Sequence, residues 1–88
     1  MNVELTPQAL DDLAWFAAKD PRQLKRLFKL IEDIRRSPFE GLGKPEPLKG
    51  ELSGWWSRRV DSEHRLVYRV VGKGDAARLQ VVQCRYHY

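Results

Sequence analysis

The hydrophobic period of this chain changes once, and a stretch rich in Pro and Gly marks the change. Before it, apolar residues recur at helical spacing; after it, they alternate as in strands. Residues 2–5, NVEL, read as a short opening strand. Thr6-Pro7 then supplies a helix N-cap with Pro at the first helical position, and Leu10, Leu13, Ala14 and Ala17 outline one apolar face. Asp20-Pro21 repeats the start signal, and Gln23 completes a pattern like a capping box. Leu24, Leu27, Phe28, Ile31 and Ile34 predict a second, more strongly amphipathic helix. Ser37-Pro38 ends it, because the residue before a Pro is pushed out of the helical region.

Two helices with almost no linker form a hairpin, and each has a single apolar face, so both must cover something else. The stretch PFEGLGKPEPLKGELSG (38–54) holds three Pro and four Gly and reads as a long loop, of the kind that often carries function. WWSRRV (55–60), HRLVYRVVG (64–72) and RLQVVQCRYHY (78–88) read as strands, with a turn at Gly72-Lys73-Gly74-Asp75. The expected fold class is α+β: one antiparallel β-sheet with the N-terminal helical hairpin packed on one face. At 88 residues the chain is long enough for a single domain, residues 1–88.

Composition narrows the function classes. The one Cys, Cys84, excludes an internal disulfide, and no Cys/His spacing resembles a metal site, so neither metal nor cofactor is expected. No apolar run approaches the ~18–20 residues of a membrane span. The opening MNVELTPQAL lacks the pattern of a signal peptide, so the expectation is a cytoplasmic protein. Residues 1–43 carry seven Lys/Arg and seven Asp/Glu, whereas residues 44–88 carry nine and five, so the net charge of +4 lies wholly in the second half. That suits a polyanionic partner such as nucleic acid, although ordinary solubilising charge looks the same.

Strand parity sorts the polar residues. Leu66, Tyr68 and Val70 form the better core face of one strand, leaving Arg65, Val67 and Arg69 on the other. In the last strand Val82, Cys84 and Tyr86 form the apolar set, opposite Gln83, Arg85 and His87. Arg65, Arg69, Arg85 and His87 would then share an open, basic face. Trp55 and Trp56 must point to opposite faces, one to the core and one to the open side. On periodicity alone a solvated sheet face is the simpler reading.

A carboxylate, an imidazole and guanidinium groups suffice for RNA cleavage. The 2′-OH is a nucleophile already present, so the reaction needs a base, an acid for the 5′-oxygen and cations for the phosphorane-like transition state, but no metal. His has the pKa for the acid, and Arg has the fork for phosphate. Glu46, Glu51, Asp61, Glu63 and Asp75 are the carboxylates of the basic half. Glu46 stands out in KPEPLK, stiffened by two prolines and flanked by Lys44 and Lys49, cations that favour its ionised form.

The stretches PFEG, GKPEPLK, LSG-x-WSRR, EHRLVY and the final CRYHY together closely resemble the YoeB/Txe toxins of the RelE/ParE toxin superfamily. The match runs from about residue 36 to 70 and resumes at 84–88; the helices match in pattern more than in letters. The resemblance implies a RelE-like, βααβββ, microbial-ribonuclease-like sheet. It also implies a bacterial type II toxin that cuts mRNA in the ribosomal A site, an mRNA interferase that inhibits translation. By position it implies Glu46 as general base, His87 as general acid, Arg65 as phosphate and transition-state stabiliser, and Tyr88 as a positioner of the scissile nucleotide. Lys44, Lys49, Arg59 and Arg85 are the expected RNA-binding cations. The implied partners are a YefM-like antitoxin, mRNA with ribosomal RNA, and a second toxin copy or a toxin–antitoxin hetero-oligomer. An end tethered on one side could be ordered or withdrawn, and the α-carboxylate of Tyr88 would favour a protonated His87. VGKGDAAR (71–78) is a few residues longer than the pattern. The alternatives are a gyrase-directed toxin of the same superfamily, against which KPEPLK and RYHY argue, and a non-catalytic module that binds RNA or protein.

Overall fold

The computed structural model describes residues 1–86. Strand β1 (Asn2–Leu5) leads into helices α1 (Pro7–Lys19) and α2 (Pro21–Arg36), followed by β2 (Glu46–Pro47), β3 (Trp56–Arg59), β4 (Arg65–Val71) and β5 (Arg78–Gln83). The predicted helix starts and stops hold, whereas the last strand, expected over 78–88, ends at Gln83. Thr6 Oγ1 accepts from the Ala9 amide, the Asp20 carboxylate accepts from the Gln23 amide, and α2 ends at its C-cap Ser37.

The strands form one sheet in the order β1-β5-β4-β3-β2. It is α+β as expected, but two features differ from the sequence reading. First, the sheet is mixed: β1 pairs with β5 in parallel, while the other pairings are antiparallel. The long connection that a parallel pair needs is present, because the helical hairpin and strands β2, β3 and β4 all lie between β1 and β5. Second, β2 lies inside the stretch read as loop, pairing Glu46 with Ser57 and Pro47 with Trp56. Pro is tolerated there because β2 is an edge strand with one unpaired side.

Both helices cover the same sheet face. Ala9, Leu13, Phe16, Leu27, Leu30, Ile31 and Ile34 pack against Val60, Leu66, Tyr68, Leu79, Val81 and Cys84. Two predicted apolar faces are rotated from expectation. On α1 the buried residues are Ala9, Asp12, Leu13 and Phe16, while Leu10 is 58% exposed. The large Phe16 ring takes the central position, and Asp12 is buried because its carboxylate accepts from the Cys84 amide at 2.9 Å. On α2, Phe28 is 53% exposed and Leu30 takes the place assigned to it.

Strand β5 contains a bulge. Tyr68 pairs with Val81 and Val67 with Gln83, so Val82 is the extra residue. Its carbonyl accepts from Thr6 Oγ1 at 2.7 Å. The core side of β5 is therefore Leu79 and Val81, then Cys84 beyond the bulge. The uniform alternation that put Val82 with Cys84 does not hold. Among the described residues, no helix is long and apolar enough to cross a membrane.

Candidate active site

Register partners in a sheet share a face. On the face away from the helices, one row runs Glu46, Ser57, Val67, Gln83 across β2 to β5. The next row pairs Arg59 with Arg65, and the row on the other side runs Arg69, Gln80, Glu4. With strands ~4.8 Å apart and same-face residues ~6.8 Å apart, Glu46 stands roughly 8 Å from Arg59 and roughly 12 Å from Arg65 between Cα atoms. Two Arg directly opposite each other cost stability through repulsion. A phosphate between them removes that cost, so the pair is better suited to a bound anion than to an empty surface.

Strand β2 is held at both ends. The Arg59 amide donates to the Gly43 carbonyl at 2.7 Å, and the Leu48 amide donates to the Trp55 carbonyl at 2.9 Å. Gly43 has φ +79, and a Cβ there would lie 3.0 Å from the Arg59 carbonyl oxygen and 3.0 Å from Leu30 Cδ2. Lys44 follows with φ 52, another left-handed residue, and the chain then enters β2 with Glu46 exposed on the open face. Lys44 and Lys49 flank β2 and are both exposed.

The loop before β2 is built around Arg58, which is fully buried. Its Nη1 donates to Asp33 Oδ2 at 2.5 Å and to the Leu42 carbonyl, and its Nη2 donates to the Ser37 and Glu40 carbonyls. Its Nε donates to the Tyr68 hydroxyl, which in turn donates to the Pro38 carbonyl at 2.6 Å. Burial raises the Tyr68 pKa and keeps that hydroxyl protonated for its bond. The Leu42 amide donates to Asp33 Oδ2, and this bond, with the Arg58 guanidinium, holds the Asp33 carboxyl below its ordinary range.

Arg65 opens β4 and is anchored by one nitrogen. Its Nη1 donates to the carbonyls of Asp61 at 2.7 Å and His64 at 3.0 Å. Among the described residues, no hydrogen bond engages its Nε or Nη2. The turn behind it is tied by Asp61, whose carboxylate accepts from the amides of Glu63 and His64 and from Gln23 Nε2. Burial pushes the Asp61 pKa up, but these bonds and the nearby His64 outweigh it, and the net shift is downward.

Arg85 is the one predicted cation that the structure moves off the open face. Its Cζ lies 3.7 Å from the Trp15 ring centroid and 4.5 Å from that of Tyr86, so the guanidinium turns towards α1. Strand β5 ends at Gln83, and Tyr86 has φ 64, so strand parity cannot be carried to Arg85. His87 and Tyr88 lie outside the described residues. Trp55 does serve the open side, with Arg69 Cζ 4.4 Å from its ring centroid, and Trp56 packs against the core.

The structure thus brings Glu46, Arg59 and Arg65 together on one face and leaves Glu51, Asp61, Glu63 and Asp75 outside the strands. Sequence reasoning missed Arg58, Asp12 and His64, which support the site from behind. Only the WSRR and EHRLVY stretches signalled two of them: His64 shares the parity of Leu66, Tyr68 and Val70, and Arg58 that of Trp56 and Val60. Cys84 is buried, and burial together with the Asp12 charge pushes its thiol up to about 12, which leaves it inert. Among the described residues, no group of three or more His, Cys, Asp or Glu could hold a metal ion.

A family model described as YoeB-like toxin of bacterial type II toxin-antitoxin system matches residues 5–88. Toxin YoeB of Synechocystis sp. is 48% identical over 88 residues, covering 100% of this chain and 98% of that one. The solved YoeB/ParE toxin from Agrobacterium tumefaciens is 49% identical with a TM-score of 0.98, and 100% of each chain is covered. A toxin chain in a heterotetrameric YoeB-YefM toxin-antitoxin complex from Staphylococcus aureus is 40% identical with a TM-score of 0.85, covering 100% of this chain and 98% of that one.

Proposed function

The chain belongs to the YoeB-like toxins of bacterial type II toxin–antitoxin systems, and from that premise we propose that it is an mRNA endoribonuclease that acts in the ribosomal A site. The observation that carries the reading is the row geometry: an exposed carboxylate, Glu46, one row from the cross-strand pair Arg59 and Arg65. Glu46 takes the 2′-OH proton, and the 2′-oxygen attacks the adjacent phosphorus. Arg65, with Arg59 beside it, neutralises the charge that builds on the phosphoryl oxygens. The 5′-oxygen leaves with a proton from His87, giving a 2′,3′-cyclic phosphate that water can open to a 3′-phosphate. Tyr88 positions the scissile nucleotide, and Lys44 and Lys49 hold the flanking backbone. The nucleophile belongs to the RNA, so the chemistry is metal-independent.

The same basic face suits a YefM-like antitoxin, whose acidic segment would compete with RNA for it. Assembly into a toxin–antitoxin hetero-oligomer is supported by the YoeB-YefM relative above. Arg85, stacked between Trp15 and Tyr86, is a support for the chain end rather than an RNA contact. The test is to mix the purified chain with ribosomes carrying a defined A-site codon and to map the RNA ends. We expect a cut within that codon, slowed by about 10²–10⁴-fold in Glu46→Gln, the range for loss of one acid–base group. Undiminished cutting by Glu46→Gln would remove the carboxylate from the mechanism.

A further inference from the structure

Residue Tyr86 has φ 64, a conformation that a bulky side chain adopts only when its surroundings impose it. Its two backbone groups show what imposes it. The amide N–H donates to His64 Nδ1 at 2.8 Å, and the carbonyl accepts from the Arg65 amide at 3.1 Å. The partners are consecutive residues: His64 immediately precedes β4 and Arg65 opens it.

His64 is well placed to be a fixed acceptor. It is buried, at 6% relative exposure, with Phe16 at 5.1 Å, Trp15 at 6.0 Å and Tyr86 at 5.7 Å between ring centroids. Its own amide is bound by Asp61 Oδ1 at 2.6 Å. Accepting at Nδ1 requires the ring proton on Nε2, the nitrogen that lies 3.9 Å from Glu63 Oε2. The preceding residues are tied down as well, Cys84 through Asp12 and Arg85 through the Trp15 ring.

We propose that His64 is a positioning residue: its Nδ1 holds Tyr86 in the left-handed turn and so sets the direction in which the chain leaves Tyr86. The proposal rests on the ribonuclease reading, in which the residue after Tyr86 delivers the proton. The same turn joins the acid to the phosphate site, because the Arg65 amide donates to the Tyr86 carbonyl while the Arg65 side chain faces the substrate. His64 touches no reacting atom, and its effect is on orientation, where a displacement of about 1 Å can cost about 100-fold in rate.

Two variants separate the acceptor from the packing. His64→Asn keeps an oxygen near the Nδ1 position, and His64→Leu fills the cluster without an acceptor. Each is compared with the unsubstituted protein for thermal unfolding, Tyr86 amide exchange and cleavage on programmed ribosomes. In the unsubstituted protein a scalar coupling across the N–H···N bond between Tyr86 and His64 is the direct signature. We expect His64→Leu to stay folded, to exchange the Tyr86 amide faster, and to lose about 100-fold in kcat with KM changed by less than about threefold. His64→Asn is expected to recover most of that loss. Equal loss in both variants, or a folded His64→Leu that cuts at the normal rate, overturns the proposal; so does the absence of the coupling. If the unsubstituted protein fails to cut, the ribonuclease reading fails and with it the effect of His64 on rate. In that case the coupling and exchange data still decide whether His64 holds the turn.

Discussion

A guanidinium taken out of water must find new partners for five N–H groups. Arg58 finds one for each, in Tyr68, Asp33 and the carbonyls of Ser37, Glu40 and Leu42. Its sequence neighbour Arg59 lies on the opposite face, in register with Arg65, so adjacent Arg residues do different work: one fixes the loop and the other stays with the cations of the open side. The Asp33 end of this arrangement predicts a pH dependence. The Leu42 amide and then Arg58 depress the Asp33 pKa in the folded state below its ordinary value of 3.8. Between those two values the unfolded chain binds more protons than the folded one, so stability rises with pH. The contribution is complete above 3.8 and is lost as pH falls through the folded value. In thermal melts against pH, Asp33→Asn is expected to start less stable at neutral pH and to lose less on acidification. Parallel curves would remove Asp33 from the account.

At the scale of elements, the helices and the two long strands were legible, because caps, prolines and periodicity are local signals. Thr6-Pro7, Asp20-Pro21 and Ser37-Pro38 set the helix boundaries that the structure shows. The partner of β1 was not legible, since nothing local in NVEL says that it pairs in parallel with β5. Nor was the bulge at Val82, which depends on Thr6 reaching its carbonyl from the other end of the chain. Strand β2 was hidden by its own composition: Pro-Glu-Pro argues against a strand, yet an edge needs few donors. Glu46 was therefore found as a loop carboxylate and turns out to be a sheet residue in register with Ser57. Gly43 is the hinge of that placement. Gly43→Ala is expected to destabilise the fold by about 1–2 kcal/mol, since it forces a side chain into φ +79 against the Arg59 carbonyl. It is also expected to lower cleavage more than stability alone explains, as read by urea melts and rates on the same sample. Unchanged melting and unchanged rate would show that β2 tolerates the shift.

At the scale of the whole molecule, the two sheet faces differ in composition. The helices seal one face with apolar side chains, and the other carries Glu46, Arg59, Arg65 and Arg69. The excess charge of +4, all in the second half of the sequence, is consistent with that division. The family was legible because its motifs are contiguous stretches of sequence, PFEG, GKPEPLK, WSRR, EHRLVY and CRYHY, that can be read without knowing the fold. The central claim is that this face holds RNA so that its own 2′-OH attacks. The most direct measurement uses ribosomes programmed with two messages that differ only by a 2′-deoxynucleotide at the scissile A-site position. The account predicts that the all-ribose message is cut to a 2′,3′-cyclic phosphate and that the deoxy message stays intact. Cutting of both messages at the same place would contradict it, because the nucleophile would then have to come from elsewhere.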